Sequence, residues 1–186
     1  MKRIPTFEET YTLQSAADAA GREFWFHNVV FTYQWWLLVA LSIIPILVWW
    51  RLVDRRRLFE IMTYGLLVAL ISGLLDAIGV ETDAWEYKYD LLPLLDVFIA
   101  YDISVLPVCY MLIYQYFPQW QSFAVAQLAI SCVFAFISEP MLVYLDIYKL
   151  IDWKHIYSVP GYFFLAIFLK WVMEKLITKS RSYPNP

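Results

Sequence analysis

From residue 33 onward the chain alternates long apolar runs with short polar and aromatic breaks. The first run, YQWWLLVALSIIPILVWW at about 33–50, is bracketed by Trp35-Trp36 and Trp49-Trp50. A helix rises 1.5 Å per residue, so the two tryptophan pairs stand about one bilayer thickness apart, where interfacial aromatics belong. Pro45 predicts a kink. Comparable runs follow at about 58–78, 123–143 and 157–176. The stretch 91–117 is long but interrupted by Pro93, Asp96, Asp102 and Pro107. A half-helix at 92–99 followed by a span at 101–117 is the preferred expectation, with a single tilted helix as the alternative. The pattern therefore predicts an all-α fold, a polytopic membrane helical bundle of about five transmembrane helices.

The first thirty residues read differently. Thr6 followed by Glu9 fits a capping box, and Gly21 fits a C-terminal cap, which predicts an amphipathic helix near 7–20 lying at the membrane surface. Phe24, Trp25 and Phe26 then form an interfacial aromatic cluster. The chain thus divides into an amphipathic N-terminal arm (1–30), a transmembrane bundle (31–178) and a basic tail (179–186), with one domain in all. The polar start lacks the apolar core of a secretory signal, so the first span is expected to insert and to anchor.

Composition sharpens this picture. Of 186 residues, 61% are hydrophobic and only 17% charged, with a mean hydropathy of +0.55. One soluble core of this size cannot hide so much apolar surface, and lipid must cover part of it. The formal net charge of −3 offers no basic field for a nucleic acid. Cys109 and Cys132 both fall in apolar runs and read as small buried hydrophobes. Basic residues set the orientation. Arg51, Arg55, Arg56 and Arg57 share one side with Lys175, Lys179 and Arg181, whereas the opposite loops hold only Lys88, Lys149 and Lys154. The positive-inside rule then places the N-terminus outside and the C-terminus in the cytoplasm, which requires an odd number of spans. The N-terminal arm, with Lys2, Arg3 and Arg22 against Glu8, Glu9, Asp18 and Glu23, is nearly neutral.

The segments WWRLVDRRR, LLDAIG, the W-x-Y at Trp85 and Tyr87, YDISVLPVCYMLIYQYFPQW, FISEP and DWKHIYSVP cover most of the chain beyond the arm. In these segments the chain resembles an uncharacterised family of small multi-pass membrane proteins of endospore-forming Gram-positive bacteria. The resemblance implies a bacterial cell membrane as location, in a sporulation or envelope setting. It implies no activity, and no residue role is carried over from it.

The candidate chemistry is acidic. On this topology only Asp54, Glu60 and Glu174 fall on the cytoplasmic side, and the other fourteen of seventeen acids lie toward the outside. Four of them interrupt apolar sequence: Asp76, Asp96, Asp102 and Glu139. Each would cost about 2.5–3.5 kcal/mol at a helix centre, so convergence on a shared hydrated cavity is the economical expectation. The plainer readings are a membrane-edge marker for Asp76, a helix cap for Asp96, and a partner for the backbone break at Pro140 for Glu139. Asp102, with apolar sequence on both sides and Tyr101 as neighbour, resists such a reading. Trp85 and Trp153 stand in the aromatic loops beside these acids. They fit an interfacial belt, or a cation site built of carboxylates and ring faces. Asp76 leading to Trp85 and Pro93, and Glu139 leading to Trp153 and Pro160, resemble two unequally spaced copies of one hairpin. Asp152 and His155 share a helical face, but Asp-x-x-His is too common to define a metal site.

No catalytic class with a local signature is present. The expected function is binding or transport of a cation, proton or small cationic solute by Asp102 and Glu139, assisted by Asp76, Asp96, Tyr101, Trp85, Trp153 and His155. No cofactor is expected. The alternatives are an intramembrane enzyme acting on a lipid or isoprenoid, and a structural subunit packed on a membrane protein partner or in a homo-oligomer. The lipid bilayer is a partner under every reading, and a multi-pass cell membrane location follows.

Overall fold

The structure of the protein is a computed structural model that describes residues 3–93 and 97–182. It is a bundle of helices, and four of them are long and apolar enough to cross a membrane: Tyr33–Leu52, Arg55–Glu81, Trp120–Tyr144 and His155–Ser180. Their outer faces expose Ile43, Ile44, Leu47, Leu66, Leu70 and Phe168, among others. Continuous apolar surface of this extent suits lipid.

Helix α1 (Phe7–Asn28) opens with the expected capping box: Glu9 N–H donates to the Thr6 hydroxyl, and Thr6 N–H donates to the Glu9 carboxylate. It does not end at Gly21. That glycine never enters the left-handed region a C-terminal cap requires, and the turn is made by Phe31 instead, at φ 64°. No residue of α1 is buried. Its tie to the bundle is the Trp25 indole, which donates to the Asp90 carbonyl at 2.9 Å.

Helix α2 (Tyr33–Leu52) starts on a Thr32 cap and runs unbroken past Pro45. A short 3-10 turn (Arg55–Arg57) then leads into α3 (Leu58–Glu81). Among the described residues of 91–117, the half-helix expected at 92–99 is not seen. Leu91–Pro93, Val97 and Phe98 are non-helical, while 94–96 lie outside the described residues. A π-helical segment (Ala100–Val105) passes directly into α4 (Leu106–Tyr116). The next run is continuous but changes character: α5 (Trp120–Val133), a π segment (Phe134–Ser138), then α6 (Glu139–Tyr144). Both wide turns precede a proline, Pro107 or Pro140, which has no N–H to give the normal helical bond. Helix α7 (His155–Arg181) closes the fold.

An unanticipated two-stranded ribbon joins the loops at one end. Strand β1 (Trp85–Tyr87) pairs antiparallel with β2 (Tyr148–Leu150), in the register Trp85↔Leu150, Glu86↔Lys149, Tyr87↔Tyr148. The ribbon exposes an internal repeat with a constant offset of 63 residues (76 to 139, 83 to 146, 86 to 149). Helix α3 ends with Asp83 N–H bonded to the Val80 carbonyl and Ala84 N–H to Gly79, and α6 ends with Asp146 bonded to Val143 and Ile147 to Leu142. Both aspartates are left-handed, at φ 55° and 60°. Each helix thus closes in the same Schellman-type cap before its strand begins. Glu86 faces Lys149, its own counterpart, so a local two-fold axis passes through that pair. The flanking bonds obey it too: Lys88 N–H reaches Ile147 O, and Ile151 N–H reaches Ala84 O. Around this axis α3 packs on α4 and α7, and α5 packs on α7 and α4, while α2 lies outside against α4.

Candidate functional site

The two symmetry-related helix ends each carry a carboxylic acid one to two turns before the cap, and both acids face inward. A cavity of about 350 Å³ lies between them beneath the ribbon. Asp76, Asp102, Glu139, Tyr101, Trp85 and Trp153 all line it. His155 stands behind this lining, against Glu139. Asp96 lies outside the described residues.

Asp76 is held as an anion would be. Its Oδ1 accepts from the Trp85 indole at 2.9 Å and from the Tyr87 hydroxyl at 2.6 Å, and its Oδ2 accepts from Phe98 N–H at 2.8 Å. Three donors on one buried carboxylate match a full negative charge. Tyr87 lies in the ribbon, outside the spans. Burial, reinforced by the Asp76 and Asp102 carboxyls, holds its phenol well above the usual tyrosine range, so it remains a donor. The seat of Trp85 depends on Gly79. A Cβ at that position would stand 1.9 Å from the indole ring. Gly79→Ala is therefore expected to displace Trp85 from Asp76 and to destabilise the protein by about 1–3 kcal/mol, measurable as a drop in thermal midpoint.

Asp102 is placed by the π segment, which turns it inward beside Asp76. The two carboxyls are both buried and line the same cavity. The backbone carbonyl of Asp102 accepts from the Ser72 hydroxyl at 3.3 Å. Among the described residues no Lys or Arg lines the cavity. This pair of acids therefore needs one positive charge from elsewhere, either a shared proton or a bound cation.

Glu139 is the counterpart of Asp76, and it has what Asp76 lacks. His155 Nδ1 meets its Oε2 at 2.8 Å, and the Tyr162 hydroxyl donates to its Oε1 at 3.0 Å. The Trp153 indole donates at 2.9 Å to Ser158, which lines the cavity beside Glu139. Each acid thus meets a titratable group at the start of the following helix: Asp102 for Asp76, His155 for Glu139. The first partner is a second carboxyl, the second an imidazole. Tyr101 completes the wall, and its buried hydroxyl has no hydrogen-bond partner among the described residues.

Sequence reasoning missed Ser158 and Tyr162, and it weighed Tyr87 and Tyr148 only as members of the aromatic belt or ring-face site. Tyrosines in apolar runs read as packing or as belt, and a lone serine carries no signal. It also missed the cluster at the opposite, arginine-rich end. There Arg57 pairs with Glu60 at 2.7 Å, and Tyr114 donates to the same carboxylate at 2.8 Å. Lys170, 2% exposed, donates to the Pro118 carbonyl at 2.8 Å and lies 4.3 Å from the Phe123 ring centroid. These groups tie the ends of α3, α4, α5 and α7 together.

Compared with protein-family models, with curated proteins and with solved structures, the chain matches none.

Proposed function

We propose that the protein is a five-span integral protein of the bacterial cell membrane that binds a cation in the carboxyl and aromatic cavity, with an organic ammonium as the preferred guest. The observation that carries the reading is the convergence of Asp76, Asp102 and Glu139, all buried, on one cavity lined by no Lys or Arg among the described residues. Charge complementarity asks for a cation, and the ring faces around it favour one that is weakly hydrated. A bare metal ion is less well served: no cluster of three or more metal-binding side chains exists among the described residues.

The strand pairing supports the topology. It brings the loops after α3 and after α6 to one end of the bundle, so an even number of crossings separates them. Since Trp120–Tyr144 is long and apolar enough to cross, the shorter helix Ala100–Tyr116 crosses as well, giving five. With the ribbon outside, the arginine-rich end faces the cytoplasm. A Glu86→Cys, Lys149→Cys double variant is expected to form a disulfide in intact cells under a membrane-impermeant oxidant. Crosslinking only after permeabilisation would reverse the orientation.

The function is tested by thermal stabilisation of the purified protein in nanodiscs. A quaternary ammonium is expected to raise the midpoint in a saturable way, and an alkyl sulfate of equal chain length is not. Equal effects from both charges would remove the reading.

A further inference from the structure

The cavity is covered on the ribbon side. Trp85 and Trp153 meet edge to face at 5.1 Å between ring centroids, and Tyr87 and Tyr148 stack at 5.4 Å. All four line the cavity, so aromatic rings separate it from the loop surface. Its flank differs. Toward the arginine-rich end, the Tyr64 hydroxyl reaches the Ala166 carbonyl at 3.4 Å and holds α3 against α7. Toward the ribbon, the cavity itself parts the two helices, and its rim residues reach the outer surface. Leu75 is 51% exposed and Ile78 59% on α3, and Tyr157 is 48% exposed on α7. Gly161, one turn on from Tyr157, is exposed, and a Cβ there would meet nothing within 4 Å. These positions lie within helices long enough to span a bilayer. The surface they expose is apolar, while the carboxyls stand a few side chains inward.

From this we infer that the guest is a long-chain organic ammonium that enters sideways from the bilayer between α3 and α7, its head against Asp102 and Asp76 and its tail left along Leu75 and Ile78. The inference rests on the cation-binding reading above and adds to it the class of ligand and the route. An apolar rim would gain nothing from a small hydrated amine. An amphiphile keeps its tail in hydrocarbon throughout, and only its headgroup exchanges surroundings. The unpartnered Tyr101 hydroxyl offers that head an oxygen as it arrives.

The test uses the full chain in nanodiscs with ethyl-, hexyl- and decyl-trimethylammonium, and takes protein-free nanodiscs of the same lipid as the blank for bulk partitioning. Referred to the aqueous concentration, affinity is expected to rise roughly fourfold for each added methylene. Gly161→Trp, which fills the gap from α7, is expected to flatten that series by lowering decyl binding more than ethyl binding. Ile78→Trp does the same from α3, and guards against a misfolded first variant. Equal binding of all three probes by the wild type, or a slope that survives both tryptophan variants, would overturn sideways entry and leave cation binding intact. No binding by any probe would remove the cation reading itself.

Discussion

Asp102→Asn is expected to weaken quaternary ammonium binding by about 10- to 100-fold, the loss that follows removal of a charge-assisted contact. The same variant is expected to be as stable as the wild type or about 1 kcal/mol more stable. This opposition of signs is the diagnostic feature. In the ligand-free protein the pair must keep a proton to avoid repulsion, whereas an asparagine amide is a permanent donor to Asp76 that needs none. A residue kept only to support the fold would lose stability when replaced. Binding is read by titration in nanodiscs, and stability by thermal midpoint without ligand. Unchanged affinity in Asp102→Asn would leave the paired acids without a ligand role.

His155→Ala is expected to produce the largest loss of stability, roughly 3 kcal/mol, because it removes the ring nitrogen that meets the buried Glu139 carboxyl at 2.8 Å. Glu139 retains the Tyr162 hydroxyl at 3.0 Å, which softens the loss without neutralising the carboxylate. Adding Glu139→Gln to His155→Ala is expected to recover most of it, since the double variant buries no charge at that place. A double-mutant cycle measures the coupling directly. If His155→Ala cost less than about 1 kcal/mol, the two hairpins would not differ in the way proposed. The contrast matters because the repeat places Asp76 and Glu139 at equivalent positions.

Much of the architecture was legible from residue 33 onward because the bilayer imposes a length on every span. Paired tryptophans marked α2, and the acids stood out as costly interruptions in oily sequence. Asp76, Asp102 and Glu139 could be singled out on energetic grounds alone, and they do share a cavity. What escaped were features set by backbone geometry. Gly21 read as a helix stop, yet nothing around it demanded a left-handed turn. The ribbon strands are three residues each, too short to show an alternating pattern. The repeat was visible only in part, because Trp85 seemed to match Trp153 when its counterpart is Tyr148. An aspartate in the left-handed conformation at each helix end is the true marker of that repeat. The partners of the acids were hidden as well, since a tyrosine that donates to a carboxylate looks in sequence like one that faces lipid.

Infrared difference spectroscopy on addition of a quaternary ammonium probes the paired acids most directly. In the ligand-free protein the Asp76 and Asp102 pair is expected to hold a proton, giving a protonated carboxyl band. Cation binding should displace that proton and abolish the band, and Asp102→Asn should show neither the band nor its loss. A binding isotherm with no change in carboxyl absorption, or a difference band that persists in Asp102→Asn, would contradict the account.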